Sequence, residues 1–258
     1  MSTGVSGVPG GPGGLRSVVR QELVSRQLDE QLASRYPVGQ RLRVLDVGMG
    51  RGGQALRLAR AGHTVTGLES DPEMMASARD SLEAEPAGIR ERVTLVEGDG
   101  LQTGVHFLPG SFDVVLCHGV LMYVEEPDAM LAGLARMLAP GGLLSLLVRN
   151  ADALALRPGI TGDWAGALHA FDSPTYTNRL GRPVRADRLA ALTATLAGIA
   201  APLNTWYGVC VFSDTMSGDA ELPPEAELDL LLAAEDRAGR TEPYRRVAAL
   251  LHLCGVRG

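Results

Sequence analysis

The chain contains no lysine: all 24 of its basic residues are arginine, set against 30 acids for a formal net charge of −6. A broad nucleic-acid-binding face needs the opposite balance, so the composition leaves room only for a local arginine patch. Cysteine is scarce. Cys117, Cys210 and Cys254 lie far apart and form no CxxC pair, which argues against a disulfide framework and a zinc site and suits a reducing compartment. No metal is expected. Aromatic residues make up only 4% of the chain. No apolar run approaches the roughly 18 residues of a membrane span, and no basic stretch followed by an apolar core stands at the N-terminus. These absences predict a soluble cytoplasmic protein that does not associate with membranes. A length of 258 residues suits one core with an elaboration rather than two domains.

Glycine and proline are concentrated where they carry meaning. Residues 1–14, MSTGVSGVPGGPGG, cannot bury enough apolar surface to order themselves and are expected to form a flexible tail. Residues 43–53, RVLDVGMGRGG, join a short apolar strand to a glycine turn, and QALRLARA then reads as a helix. Strand, glycine turn and helix N-terminus in this order form the ligand-binding corner of a doubly wound α/β sheet. Gly48, Gly50 and Gly53 satisfy GxGxxG, with Glu69 at about the distance of a ribose-binding acid.

Two ligand classes fit that corner, and Asp46 tilts the choice. A dinucleotide pyrophosphate seeks bare N–H groups, whereas a carboxylate two residues before the first glycine repels phosphate and suits an ammonium. S-adenosylmethionine (SAM), cationic at its amino-acid end and free of phosphate, fits better than NAD. Nothing after residue 70 supplies a recognisable hydride-transfer site.

The rest of the chain alternates strand and helix through residue 149, which predicts a mostly parallel sheet with right-handed crossovers and helices on both faces. Strands are expected at 63–69, 92–97, 111–118 and 143–148, with Pro140-Gly141-Gly142 ending the preceding helix. Residues 15–40 read as a helical lid, and residues 150–185, without clear periodicity, as an insertion on the acceptor side of the sheet edge. Further on, 187–196 and 226–234 read as helices, 198–207 and 209–212 as strands, and 244–253 as a helix closing into a strand.

Asp46, Glu69 and Asp99 fall at the ends of successive strands, so this fold brings them to one edge. There Asp46 suits the amine of SAM, Glu69 the ribose hydroxyls and Asp99 the adenine amino group. Gly48 and Gly50, Ser70 beside Glu69, Gly100 beside Asp99, and Cys117 with His118 complete the expected cofactor lining. Each acid taken singly also reads as a turn or cap residue.

The segments VLDVGMGRGG, GLESDPEMM, VEGDG, FDVVLCHGVLMYV and LAPGGLLSLLVRN, in this order, resemble class I SAM-dependent methyltransferases. The resemblance implies a Rossmann-like, mostly parallel seven-stranded sheet with an insertion after the fifth strand. The chain is further similar to the tRNA 5-carboxymethoxyuridine methyltransferase family in the LSL run reaching Asn150, in YGVCVFSD (207–214) and in EPY (242–244). In that family a GxLR motif helps hold SAM. Gly13-Gly-Leu-Arg16 matches it, which implies a contact from Arg16 to the methionine carboxylate. Two departures bear on the acceptor. Cys210 stands where that family has an arginine, and a lysine-rich stretch is replaced by DSPTYTNRLGRPVR with only Arg179, Arg182 and Arg185. Fewer cations mean weaker phosphate contacts.

The reaction asks little of the protein, because the sulfonium methyl is already electrophilic and alignment with exclusion of water suffices. A carboxylate acceptor needs no base. His118 then reads either as a general base for a hydroxyl or amine acceptor or as a wall of the cofactor pocket. Arg149, Asn150, Trp164, Tyr176, Tyr207 and Tyr244 are the candidate acceptor contacts. The sequence thus predicts a methyltransferase acting on an oxygen, with a tRNA wobble-uridine carboxylate as one acceptor, and as the alternative a small-molecule O- or N-methyltransferase acting on a natural product or metabolite. A SAM-binding module without turnover stands as the reading from another class.

Overall fold

The structure, a computed structural model, describes residues 14–178, 181–216 and 220–258. The expected tail (1–14), apart from Gly14, and Gly13 and Arg179 therefore lie outside the described residues. The first half of the chain alternates as its pattern demands: α1 (Leu15–Arg35), β1 (Arg43–Val47), α2 (Gly53–Arg60), β2 (Thr64–Glu69), α3 (Pro72–Glu83), a short α4 (Ala87–Arg90), β3 (Val93–Glu97), a short α5 (Thr103–His106), β4 (Phe112–His118), α6 (Pro127–Met137) and β5 (Leu138–Arg149). Asp71 caps α3, its carboxylate accepting from the N–H groups of Glu73 and Met74, with Pro72 in the first turn. The insertion holds α7 (Leu156–Ile160), α8 (Trp164–Asp172) and a small hairpin of β6 (Thr175–Thr177) and β7 (Pro183–Arg185), before α9 (Leu189–Gly198), β8 (Leu203–Val209), α10 (Glu225–Ala238) and β9 (Leu250–Val256).

Seven strands form one sheet in the order β3-β2-β1-β4-β5-β9-β8. The first five are parallel, while β9 runs antiparallel to both β5 and β8. Side chains alternate between the two faces with period two. Leu45, Val115, Leu144 and Leu146 pack with Leu131 and Leu134 of α6 and Leu192 and Leu196 of α9. Their neighbours Val44, Val114, Leu116 and Leu143 pack with Leu28 and Leu32 of α1 and with Leu58 of α2. The polar residues Asp46, His118, Ser145 and His252 share the parity of this second face, under α1.

Several boundaries differ from the sequence reading, each for a local reason. Leu15 to Arg35 is one helix, ending short of residue 40, and its Val19, Leu23 and Leu28 are fully buried against the domain. The Pro-Gly-Gly at 140–142 does not delimit β5. The strand begins at Leu138, and the register against β4 jumps from Phe112↔Leu138 to Val114↔Leu143, so the motif is absorbed as an irregularity with Gly141 at φ +74°. The expected strand at 209–212 ends at Val209, because Cys210 takes φ +59° and the chain turns away. The carboxylate of Glu235 then captures the N–H groups of Val211, Phe212 and Ser213 at 2.7–3.1 Å. The expected strand at 198–207 likewise starts only at Leu203, after α9 has run through Gly198 and Ala200 has turned at φ +57°.

Glu235 is fully buried and is the acceptor for three amides. Glu235→Ala is therefore expected to lower unfolding stability by about 3 kcal/mol, read as a fall in the denaturant midpoint. An unchanged midpoint would show that the loop holds itself.

Candidate active site

Because β1, β2, β3 and β4 run parallel and in register, their carboxyl ends form one rim. Asp46 lies next to last in β1, Glu69 ends β2, and Asp99 follows β3. Asp46 is 3% exposed, and its carboxylate has no hydrogen-bond or ion-pair partner among the described residues. Burial, and after it the charge of Glu69, pushes its pKa up to about 7. A buried carboxylate without a partner is costly and is satisfied by a proton or a cation. The site therefore fits the amine of SAM.

Glu69 is engaged differently. One carboxylate oxygen accepts from the N–H of Gly50 at 2.8 Å and the other from those of Ser70 and Asp71 at 2.9 Å. It ties the glycine turn to the start of α3, which fixes Gly50 and Ser70 on the rim. Gly48 sits at φ +65°, where an added Cβ would stand 2.3 Å from Cγ2 of Val120, so a side chain there is excluded on two counts. Asp99 is exposed, and its Oδ1 accepts from the N–H of Leu101 at 2.9 Å, closing a short turn that begins at Gly100. His118 ends β4 half-buried, with Nε2 2.8 Å from Oγ of Ser145. Cys117 points the other way. Its side chain is fully buried among Leu45, Val115 and Leu146, and burial holds the thiol protonated, so the thiol does not face the rim.

The next strand end is cationic. Arg149, the last residue of β5, reaches both carboxylate oxygens of Asp214 at 3.2 Å, and Arg16 reaches the same carboxylate at 3.1 Å and the Asp214 carbonyl at 3.0 Å. The Nε atoms of both arginines are buried without a partner. Arg157 is close enough to have its pKa lowered, by burial and then by Arg16, with Arg149 adding to it. Two guanidiniums thus share one carboxylate, and a third stands near enough to feel their charge. The ring of Tyr176 lies 5.6 Å from the Arg149 guanidinium, and its hydroxyl donates to Sδ of Met122 at 3.4 Å.

The other acceptor candidates stand elsewhere. Tyr207 is 4% exposed in the core under α1, its hydroxyl held by Gln31 and Glu30, which corrects the expectation of a site contact. Asn150 is corrected too. Its amide donates to the carbonyls of Arg246 and Ala248 and accepts from the N–H of Asp152, and at 2% exposure it pins the end of β5 rather than facing a ligand. Trp164 is 69% exposed on α8, and Tyr244 is half exposed beside Phe212. The sequence reading missed Asp214 and Arg157. YGVCVFSD contains Asp214, but its partner Arg16 is 198 positions away and no local pattern joins them.

Among the described residues, no group of three or more His, Cys, Asp or Glu is arranged to hold a metal, and no helix is long and apolar enough to cross a membrane.

Residues 45–146 match the model of a family described as a methyltransferase domain. The crystal structure of magnesium protoporphyrin IX methyltransferase from Synechocystis PCC 6803 with S-adenosylhomocysteine bound superposes with a TM-score of 0.62 at 19% identity, covering 95% of this chain and 86% of that one, a likeness of fold. The fold and the match define a class I SAM-dependent methyltransferase. The chain is also 32% identical over 241 residues to the tRNA 5-carboxymethoxyuridine methyltransferase of Escherichia coli K12, covering 93% of this chain and 89% of that one, and it belongs to that family. A ubiquinone biosynthesis O-methyltransferase from Xanthomonas euvesicatoria is 36% identical over 145 residues, covering 56% of this chain and 54% of that one.

Proposed function

We propose that this enzyme methylates a carboxylate, that of 5-carboxymethoxyuridine in the wobble position of tRNA. The pairing of both Arg16 and Arg149 with the single carboxylate of Asp214, with Arg157 near by, carries this reading. It leaves positive charge unspent at the strand end next to His118, where an anionic acceptor and the methionine carboxylate of SAM both find partners. Arg16 takes the methionine carboxylate, Arg149 orients the acceptor carboxylate, and Tyr176 packs beside it. On the rim, Asp46 holds the ammonium, Glu69 with Ser70 the ribose, and Asp99 with Gly100 the adenine. Gly48 and Gly50 let the backbone approach, and His118 forms the wall. Bound SAM supplies an electrophilic methyl, and an ionised carboxylate needs no base to accept it, so alignment in a water-poor site is the protein's contribution.

The test is methylation of tRNA carrying the modified uridine, followed by mass spectrometry of the nucleosides. A methyl ester is expected on the modified uridine and on no other nucleoside, and Arg149→Gln should raise KM about tenfold or more. Absence of product with SAM bound would overturn the tRNA reading.

A second reading, a small hydroxyl metabolite, is favoured by the state of the insertion. Arg185 is paired with Asp187 and Arg188 with Asp152, which leaves few free cations for phosphates. It would be supported by tRNA affinity that is weak and insensitive to salt, where phosphate contacts predict a steep fall.

A further inference from the structure

A file of buried polar side chains crosses three strands beneath α1. Nε2 of His118 on β4 lies 2.8 Å from Oγ of Ser145 on β5, which lies 2.8 Å from Nε2 of His252 on β9. Nδ1 of His252 is in turn 2.8 Å from Oε1 of Gln27 on α1. Ser145, His252 and Gln27 have no measurable exposure, while His118 at the end of the file is partly open. The register explains the alignment. Ser145 stands opposite Leu116 on one side and Cys254 on the other, and each histidine is two residues beyond that partner, on the same face.

The partners set the direction of every hydrogen bond. Gln27 presents its amide oxygen, which only accepts, to His252, so Nδ1 of that ring carries the proton, while the amide nitrogen of Gln27 is buried without a partner. The Nε2 of that ring then carries a lone pair, which faces two groups with protons to give: the Ser145 hydroxyl, and at 3.7 Å the Cys254 thiol, kept protonated by burial. Ser145 has one proton and spends it on His252, so toward His118 its oxygen can only accept. Burial first, and then each other's presence in the case of His118, lowers the pKa of both rings, that of His252 to about 3, so neither supplies a second proton at neutral pH.

We propose that Ser145, His252 and Gln27 are positioning residues that hold His118 as the neutral tautomer protonated on Nε2, presenting the bare lone pair of Nδ1 at the cofactor rim. This rests on the reading of His118 as part of the cofactor wall, and it refines that wall. Nδ1, which has no hydrogen-bond partner among the described residues, accepts from an N–H or O–H of a bound ligand and repels a carboxylate. It therefore directs an anionic acceptor toward Arg149 and away from itself. Ser145 and His252 in the sheet and Gln27 on α1, all fully buried, are explained by this one task.

The tautomer is read directly by NMR of the free protein labelled with ¹⁵N-histidine, since protonated and bare ring nitrogens give distinct shifts and couplings. The expected result is a bare Nδ1 and a protonated Nε2 on His118, with the reverse on His252. A proton on Nδ1 of His118, or a charged ring at pH 7, would overturn the proposal. Ser145→Ala should turn His118 into a mixture of tautomers and weaken S-adenosylhomocysteine binding about five- to tenfold, the scale of one neutral hydrogen bond, and Ser145→Thr, which keeps the hydroxyl, should restore both. An unchanged His118 spectrum in Ser145→Ala would show that the file does not set the tautomer. If that variant does not fold, Gln27→Met, lacking the acceptor, gives the same reading on His252. If the wild-type tautomer is as stated but no cofactor binds, the cofactor reading fails and the tautomer assignment stands.

Discussion

Asp46→Asn is expected to weaken SAM binding by more than about a hundredfold, the scale of removing one charge from a buried pair, while the protein stays folded. The side chain is 3% exposed and makes no bond inside the protein, so the fold loses nothing when its charge goes. Its pKa of about 7, raised by burial and then by Glu69, gives the prediction a pH signature. A carboxyl whose folded pKa exceeds its unfolded value near 4 stabilises the free protein fully below pH 4 and loses that contribution as pH rises through 7. Cation binding has the opposite sense. Holding an ammonium requires the ionised form, so SAM affinity rises by up to about tenfold per pH unit as pH approaches 7 from below. It falls again above about pH 8, where an α-amino group loses its proton. Below pH 7 binding should release a proton, seen as a dependence of calorimetric heat on buffer ionisation enthalpy. Asp46→Asn should abolish that release and raise the stability of the free protein above pH 7. Equal affinity in the variant would remove Asp46 from the site.

Asp214→Ala is expected to cost about 3–5 kcal/mol of stability, the usual result of leaving buried charge unpaired. The side chains of Arg16 and Arg149 are only 7% and 13% exposed, so without Asp214 two guanidiniums face each other in poor solvent, with Arg157 close by. Burial alone would raise the pKa of Asp214, but Arg149 and Arg16 outweigh it and hold it below the ordinary carboxylate value. A depressed carboxylate contributes stability that is complete above about pH 4 and is lost as pH falls through the folded pKa. The wild type should therefore lose stability in that acid range, and Asp214→Ala should show a flatter profile. If S-adenosylhomocysteine brings its carboxylate to the same guanidiniums, as proposed, the variant's deficit should also shrink when that ligand is supplied. A stability unchanged by Asp214→Ala would mean that solvent already screens the cluster.

What the sequence made legible is local. The glycine turn, Asp46, Glu69 and Asp99 could be placed because each ends a short apolar run, and a parallel sheet converts that order into a common rim. The apolar β5 was readable in the same way. The hidden parts are long-range. The pairs Arg16–Asp214, Gln27–His252 and Tyr207–Gln31 are separated by 198, 225 and 176 positions, so composition and periodicity carry no trace of them. Tyr207 and Asn150 looked like ligand contacts because polar and aromatic residues near strand ends often are, yet both spend their polar atoms inside the protein. The insertion resisted reading for another reason. On α8 the apolar residues Trp164, Leu168 and Phe171 face outward at 68–73% exposure, so helical periodicity there marks no core.

A crystal structure with S-adenosylhomocysteine tests the central claim most directly. The account predicts the ligand amine on Asp46, the ribose on Glu69, the purine beside Asp99, and the sulfur facing the space between His118 and Arg149. A ligand bound away from the ends of β1, β2 and β3, or an amine with no contact to Asp46, would contradict it.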